Sequence, residues 1–442
     1  MTGFARHFTY RDLLKFTFPS IVMLAVSSVY YVVDGFFVSN YAGKLPFAAV
    51  NFIWPVLMLL GGVGFMFGTG GSALIGKTMG EGRQEKANEI FSNIVYTSLA
   101  VGVVLGLLGL VTLRPVARLM GAEGEMLDLS CLYGGICMLG IPGMILQNEF
   151  ESLCATAGKP RLGLWSAIGA GVTNIVLDAL FIVGFHWGIA GAAIASILSQ
   201  WIGGLVPLTY FWSRKNNSLL RLTVWKRDGW ALGRTCTNGV SELLNNISMS
   251  IVSMLYNVQL LKYIGEDGIA AYGVLMYVNL IFLALFIGYS VGSAPIVSFH
   301  YGAENHSELH SLLIKSLVII SVSSFGMFAA SELLAEPLSL LFAGYDPELL
   351  AVTKRGFFIY SFSFLFSGIA IWGSSFFTAL NNGLISALIS TLRTMVFQVA
   401  GVLVLPLLWD LDGIWISIVL AELLAAALAG IFVVCCRRKY RY

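Results

Sequence analysis

Charge is what this sequence has least of. Asp, Glu, Lys and Arg together make up 11% of its 442 residues, where soluble domains carry about 25%. No polar stretch is long enough to fold by itself, the longest being residues 212–234 and 331–349, which excludes an appended catalytic domain. A net charge of +2 offers nothing to hold nucleic acid. The six cysteines, at positions 131, 137, 154, 236, 435 and 436, show no metal-ligand spacing and read as buried, reduced thiols.

Apolar length is what the chain has instead. Hydrophobic residues make up 57% of it, and runs long enough to cross a hydrocarbon core of about 30 Å recur throughout. Twelve are expected, near residues 14–39, 47–76, 90–112, 129–155, 163–185, 189–211, 235–262, 268–299, 311–333, 350–379, 384–408 and 412–436. With both termini cytoplasmic, the inner loops hold nineteen Lys and Arg and the outer loops six, leaving Arg393 within a helix; that bias sets the orientation. The first run is too long for a signal-peptide core and is read as a retained helix. The expected location is the cell (plasma or inner) membrane.

Shifting the chain by 222 residues superposes Ala48-Ala49 on Ala270-Ala271, Gly70 on Gly292, Gly80 on Gly302, Thr156-Ala157 on Thr378-Ala379, Trp187 on Trp409 and Gly191 on Gly413. One ungapped register spans nearly both halves. The fold class that follows is an all-α polytopic membrane protein of twelve helices. They form two six-helix bundles related by a pseudo-two-fold axis along the membrane normal, as in parallel-repeat transporters. The division is residues 1–213 for the first lobe, 214–234 for a cytoplasmic linker and 235–442 for the second lobe, with a cavity expected between the lobes.

Two aspartates interrupt the apolar runs of the first half only. Each costs about 3 kcal/mol to insert, which makes it a hypothesis about ions or protons. At 1.5 Å per residue, Asp34, Asp178 and Ser196 share one depth in the outer leaflet, and Asn174 lies one turn from Asp178 on the same helix face. The repeat maps these positions to Tyr256, Val396, Ala400 and Ile418, so the polar set is not a requirement of the bundle. A pair of buried carboxylates titrates as a coupled unit and suits proton exchange, while the same oxygens with an amide carbonyl and a hydroxyl suit Na+; the residues leave both open.

On the seventh run, Glu242, Asn245 and Asn246 head a polar stripe that should line a cavity rather than lipid. Glu242 is placed roughly 10 Å from its cytoplasmic end. Glu149, at a similar depth on the fourth run, is grouped with it as an acidic entrance suited to a cationic substrate, and Gln147 and Tyr31 are assigned to the same cavity. Arg393 and Glu422 are expected to neutralise each other. Pro19 is the candidate hinge of the first helix, with Pro55, Pro142, Pro207, Pro295 and Pro406 also read as breaks inside helices. His300, His306 and His310 read as solvated loop surface. Residues 71–78 satisfy the phosphate-binding pattern GxxxxGK[ST], but they end a membrane helix and follow no strand, so the pattern is rejected.

At these residues the chain resembles the multidrug and toxic compound extrusion (MATE) family in its prokaryotic form. The resemblance rests on Pro19-Ser20, Val32-Val33-Asp34, Gln147-Asn148-Glu149-Phe150, Asn174-Ile-Val-Leu-Asp178 and Gly191-Ala-Ala-Ile-Ala-Ser196. The second half adds Asn238-Gly-Val-Ser-Glu242, Gly268-Ile-Ala-Ala-Tyr272 and Gly292-Ser-Ala-Pro-Ile296. It implies an antiporter, not an enzyme, that exports organic cations and amphipathic drugs while H+ or Na+ enters, and the chain is expected to act as a monomer. It needs no cofactor beyond that ion, and Asp34, Asn174, Asp178 and Ser196 form the coupling site. The rival of the same architecture is a flippase for lipid-linked saccharides. An intramembrane aspartyl protease is the enzymatic rival, but its Gly-x-Gly-Asp signature is missing.

Overall fold

The structure, a computed structural model, describes residues 4–213, 215–264, 266–343 and 347–442. Arg214, the first residue of the expected linker, lies outside them. Residues 4–9 cross the chain's terminal face and lead into α1 (Tyr10–Phe37), which tightens into a π-helical turn at Val38–Ala42. Then follow α2 (Lys44–Gly80), α3 (Gln84–Leu119), α4 (Gly124–Thr156), α5 (Pro160–Asp178) with a π turn at Ala179–Gly184, and α6 (Gly188–Trp212). The second lobe holds α7 (Gly229–Ile264), α8 (Glu266–Gly302) and α9 (His306–Ala343). In it α10 (Pro347–Tyr360) runs on through a short 3-10 turn into α11 (Phe364–Ala379). The chain closes with α12 (Gly383–Thr391), a π turn at Leu392–Gln398, α13 (Val399–Val404) and α14 (Pro406–Tyr440).

The expected all-α, two-lobe fold is the fold observed, and no strand occurs among the described residues. Among the described residues, eleven helical units are long and apolar enough to span a membrane by length and composition; α7, expected as a twelfth, is long enough but less apolar. It falls outside those eleven because Asn245, Asn246, Asn257 and Gln259 dilute the apolar part of this 36-residue helix. Pro19, Pro55, Pro142, Pro207 and Pro295 sit inside continuous helices. Pro406 instead opens α14, where its missing N–H costs nothing. The phosphate-binding look-alike at 71–78 is helical throughout and packs into the lobe interface, with Gly76 against Ser298.

The lobes meet along α1, α2, α7 and α8, and the repeat is legible in that contact. A β-carbon on Gly80 would stand 2.0 Å from the Phe299 carbonyl oxygen, and one on Gly302 would stand 2.0 Å from the Lys77 carbonyl oxygen. Residues 77 and 299 are themselves repeat partners, as are 80 and 302. The pseudo-two-fold axis therefore passes between the terminal-side ends of α2 and α8, and only hydrogen fits at the crossing. Further along, Gly70 meets Thr235 and Gly239, while the repeat partner of Gly70, Gly292, meets Thr17. These approaches all lie on the half of the bundle that carries both termini, so the lobes are sealed at that end.

Two further straps cross the same face. Residues 215–228 are clamped along α3: Lys86 Nζ donates to Asp228 (2.8 Å), Asn93 Nδ2 to the Asp228 carbonyl (3.1 Å), and Trp225 Nε1 to Asn93 Oδ1 (3.1 Å). Asp228 also accepts from the Ala231 N–H (3.0 Å) and so caps α7, which begins at Gly229 and takes in residues 229–234 expected in the linker. The Lys86 bond holds the Asp228 carboxyl below its ordinary range. Its contribution is thus complete above about pH 4 and is lost as pH falls through that lowered value. Asp228→Ala is expected to cost about 1 kcal/mol and to speed proteolytic nicking at residues 215–228.

The second strap is the N-terminal segment. His7 Nδ1 meets Glu308 Oε2 at 2.6 Å, the Phe8 N–H donates to Glu308 Oε1 at 2.9 Å, and Lys315 donates to the Phe8 carbonyl. His300 is a correction to the sequence reading: it is buried beneath Phe8 and Phe299, edge-on to both rings, because the strap covers the loop it was thought to expose. His306 is half-buried and His310 exposed. Glu308→Gln is expected to weaken the strap by roughly 1–2 kcal/mol, read as faster protease cleavage within residues 4–9.

Candidate functional site

Asp34 stands one turn before the end of α1, and Asp178 is the last residue of α5 before its π turn. Each helix widens within four residues of its carboxylate, a local break that recurs at functional sites. α1 and α5 lie side by side, with Tyr30 of α1 against Gly171 of α5. The two carboxylates are near enough to interact with each other. Asp178 and Asn174 are fully buried, whereas Asp34 and Ser196 are half-buried.

Three of the four positions singled out by depth and spacing, Asp34, Asn174 and Ser196, line one pocket within the first lobe, and the fourth, Asp178, lies one turn beyond Asn174 on α5 and beside Asp34. The pocket walls also include Tyr30 and Tyr31 of α1, Trp54 of α2, Tyr133 and Cys137 of α4, and Gln200 of α6. Asp34 Oδ1, Asn174 Oδ1 and both Asp178 oxygens have no hydrogen-bond partner. Buried acceptors are rarely left unpaired without a reason. The cavity volume is about 20 Å³, room for roughly one water and far below the 300 Å³ or more of drug-sized pockets. A proton shared between the carboxylates fits it. So does a small hard cation, for which the orphaned oxygens and the Ser196 hydroxyl are the chemically suitable donors.

Sequence reasoning missed Tyr133 and Cys137. Tyr133 is buried with its hydroxyl in reach of Ser196, and Cys137 lies one turn along α4. The available signal was that one-turn spacing of polar groups on an apolar helix. In the second lobe, the repeat partner of Asp34 is Tyr256. Its hydroxyl bonds Ser417 Oγ at 2.6 Å and its ring stacks on Tyr272 with centroids 5.3 Å apart. The equivalent space there is filled by a satisfied aromatic core.

The residues assigned to the substrate cavity separate into two groups. Glu242, Asn245 and Asn246 are half-buried on α7, with Asn246 facing Gly62 of α2 across the lobe interface. Because α7 starts at Gly229, Glu242 lies about 20 Å along it and not 10 Å, near mid-bundle and within electrostatic reach of Arg393. Arg393 pairs with Glu422 as expected, Nε and Nη2 each 2.9 Å from its carboxylate. Glu149 is a correction. It is fully buried inside the first lobe, its backbone against Gly68 of α2 and its side chain near Ser98 of α3, and not exposed on a cleft wall. Gln147 is likewise buried, donating to the Tyr30 hydroxyl at 3.2 Å and pressed on Gly203. α4 is the central helix of its lobe, and spacing alone could not tell its inner faces from a cleft face. Tyr31 lines the ion-sized pocket.

Comparison with known proteins places the fold. The MatE family model matches residues 19–180 and again residues 243–404, once per lobe. The multidrug export protein MepA of Staphylococcus saprophyticus is 23% identical over 442 residues, covering 97% of this chain and 94% of that protein. The MepA of Staphylococcus haemolyticus is 24% identical, with the same coverage of each. Among solved structures, the outward-facing conformation of a multidrug resistance MATE family transporter of the MOP superfamily superposes with a TM-score of 0.92 at 22% identity, over 98% of this chain and 96% of that one. A MOP superfamily transporter from Pyrococcus furiosus superposes with a TM-score of 0.91 at 22% identity, over 98% and 97%.

Proposed function

This chain belongs to the MatE family, and from that premise we propose that it is a secondary antiporter. In this reading it exports cationic or amphipathic organic compounds in exchange for H+ or Na+ bound at Asp34, Asn174, Asp178 and Ser196. It is a multi-pass membrane protein and not an enzyme. The observation that carries the coupling reading is the ion-sized pocket lined by Asp34, Asn174 and Ser196, with one oxygen each of Asp34 and Asn174 and both oxygens of the neighbouring Asp178 unpartnered. A drug does not fit there, so ion and cargo use separate sites. The excess of Lys and Arg supports a cytoplasmic position for the terminal face, and sealing at that face supports a cleft open to the outside, with Glu242, Asn245 and Asn246 on its wall. Both lobes come from one chain, so a monomer has all the parts.

Ion entry changes the charge of the Asp34–Asp178 pair and hence the relative stability of the two lobe arrangements, which is the differential binding that coupling requires. Pro19, which interrupts the hydrogen bonding of α1 between its terminal end and Asp34, is the proposed hinge. One charge moving through 100 mV supplies about 2.3 kcal/mol, roughly a fifty-fold gradient, and no nucleotide is needed. The test is efflux of a fluorescent lipophilic cation from drug-sensitive cells while the H+ and Na+ gradients are collapsed separately. Export abolished by collapse of one gradient names the ion; export that survives collapse of both refutes the antiporter.

A further inference from the structure

A second cavity, of about 800 Å³, opens on the outer surface of the first lobe between the terminal ends of α1 and α5. Arg11, Lys15 and Arg161 line it, all exposed, and none has an ion pair among the described residues. The one carboxylate beside them, Asp12, is already engaged: it accepts from the Thr9 N–H and hydroxyl and faces Arg6 at 3.9 Å. Arg11 and Arg161 are each the second residue of their helix, so two helix N-termini with their partial positive charge add to the three cations. The wall continues into apolar surface, where Phe18 and Trp165 are 62% and 67% exposed beside Leu14 and Leu164. A small soluble anion would use the cations and leave those rings uncovered. A molecule with a phosphate at one end and an acyl chain at the other uses both, and basic pockets between helices at the cytoplasmic surface hold such headgroups.

We propose that this groove binds an anionic phospholipid of the cytoplasmic leaflet. Its phosphodiester lies on Arg11, Lys15 and Arg161, and an acyl chain lies along Phe18 and Trp165. Pro19 forms part of the same wall, so the lipid braces the hinge of the helix that carries Asp34 and touches the helix that carries Asn174 and Asp178. Naming the leaflet rests on the orientation proposed above. The binding test below reads the groove whichever face is cytoplasmic, and it does not depend on transport, so failure of either reading leaves the other standing.

The experiment is native mass spectrometry of the purified full-length protein from nanodiscs of mixed phosphatidylglycerol and phosphatidylcholine. Wild type is compared with the triple variant Arg11→Gln, Lys15→Gln, Arg161→Gln and with a control, Lys215→Gln, Arg438→Gln, whose cations lie outside the groove. Wild type and control are expected to retain phosphatidylglycerol over phosphatidylcholine by roughly tenfold or more, and the triple variant to lose that preference, given the contribution of each juxtamembrane cation. Phe18→Ala, Trp165→Ala is expected to weaken retention with all charges present. Equal retention of the two lipids by wild type, or undiminished preference in the triple variant, overturns the proposal. So does displacement of bound phosphatidylglycerol by millimolar inorganic phosphate, which would make the groove a site for soluble anions.

Discussion

Asp178→Asn is expected to abolish ion-coupled efflux, by roughly 100-fold or more against wild type, with normal insertion and expression; Asp34→Asn is expected to do the same. The substitution is nearly isosteric, so the packing of α5 against α1 and α6 is retained. What disappears is the ability of a fully buried group to change its charge. An amide that cannot titrate no longer distinguishes the two lobe arrangements. A ligand with equal affinity for both arrangements shifts neither, however tightly it binds. The measurement is initial-rate efflux in vesicles with an imposed gradient, at matched protein levels. Wild-type rates in either variant would sink the assignment of the pocket.

Gly80→Leu and Gly302→Leu, made separately, are each expected to prevent sealing of the terminal face and to reduce transport by a similar factor. A β-carbon at either position would lie 2.0 Å from a backbone carbonyl oxygen of the other lobe. No rotamer change relieves a clash with backbone, so the lobes must part by more than about 1 Å, and a close-packed interface does not stretch without losing its contacts. Alternating access needs this seal in one of its two states. The readout beside transport is a cysteine at Ser298, fully buried against Gly76. It should react with an impermeant maleimide from the terminal side faster in the leucine variants than in the otherwise wild-type protein. Gly326→Ala, where a β-carbon meets open space, should leave transport unchanged. Protection of Ser298→Cys in both leucine variants would show that the seal tolerates the added bulk.

How far the site was legible depended on which interaction decided each residue. Asp34 and Asp178 announced themselves because a charge in a long apolar run is expensive wherever it points, and the spacing of Asn174 from Asp178 fixes a shared face on any helix. The depth of Glu242 was misjudged by some 10 Å, because the helix start lay in a stretch whose charges read as loop, and Asp228 caps it there. Glu149 was misassigned for a different reason. Its helix is buried on nearly every side, and a carboxylate facing α2 and α3 has the same sequence spacing as one facing the cleft.

What the sequence determined by itself was everything that depends on composition and period. The twelve expected crossings follow from the length of apolar runs, the two lobes from a single 222-residue register, and the one-sided polar set from its absence in the repeat. Each is a property of local chain, or of the chain compared with itself. Only the tertiary structure decided that Asp34, Asn174 and Ser196 line a space the size of an ion with Asp178 beside it, that Tyr133 and Cys137 wall it, that π turns flank it, and that glycines 80 and 302 seal the lobes at one end. Those depend on how helices rotate and cross. Rotation is set by the summed packing of residues distant in sequence, and no periodicity along one strand of text encodes the angle.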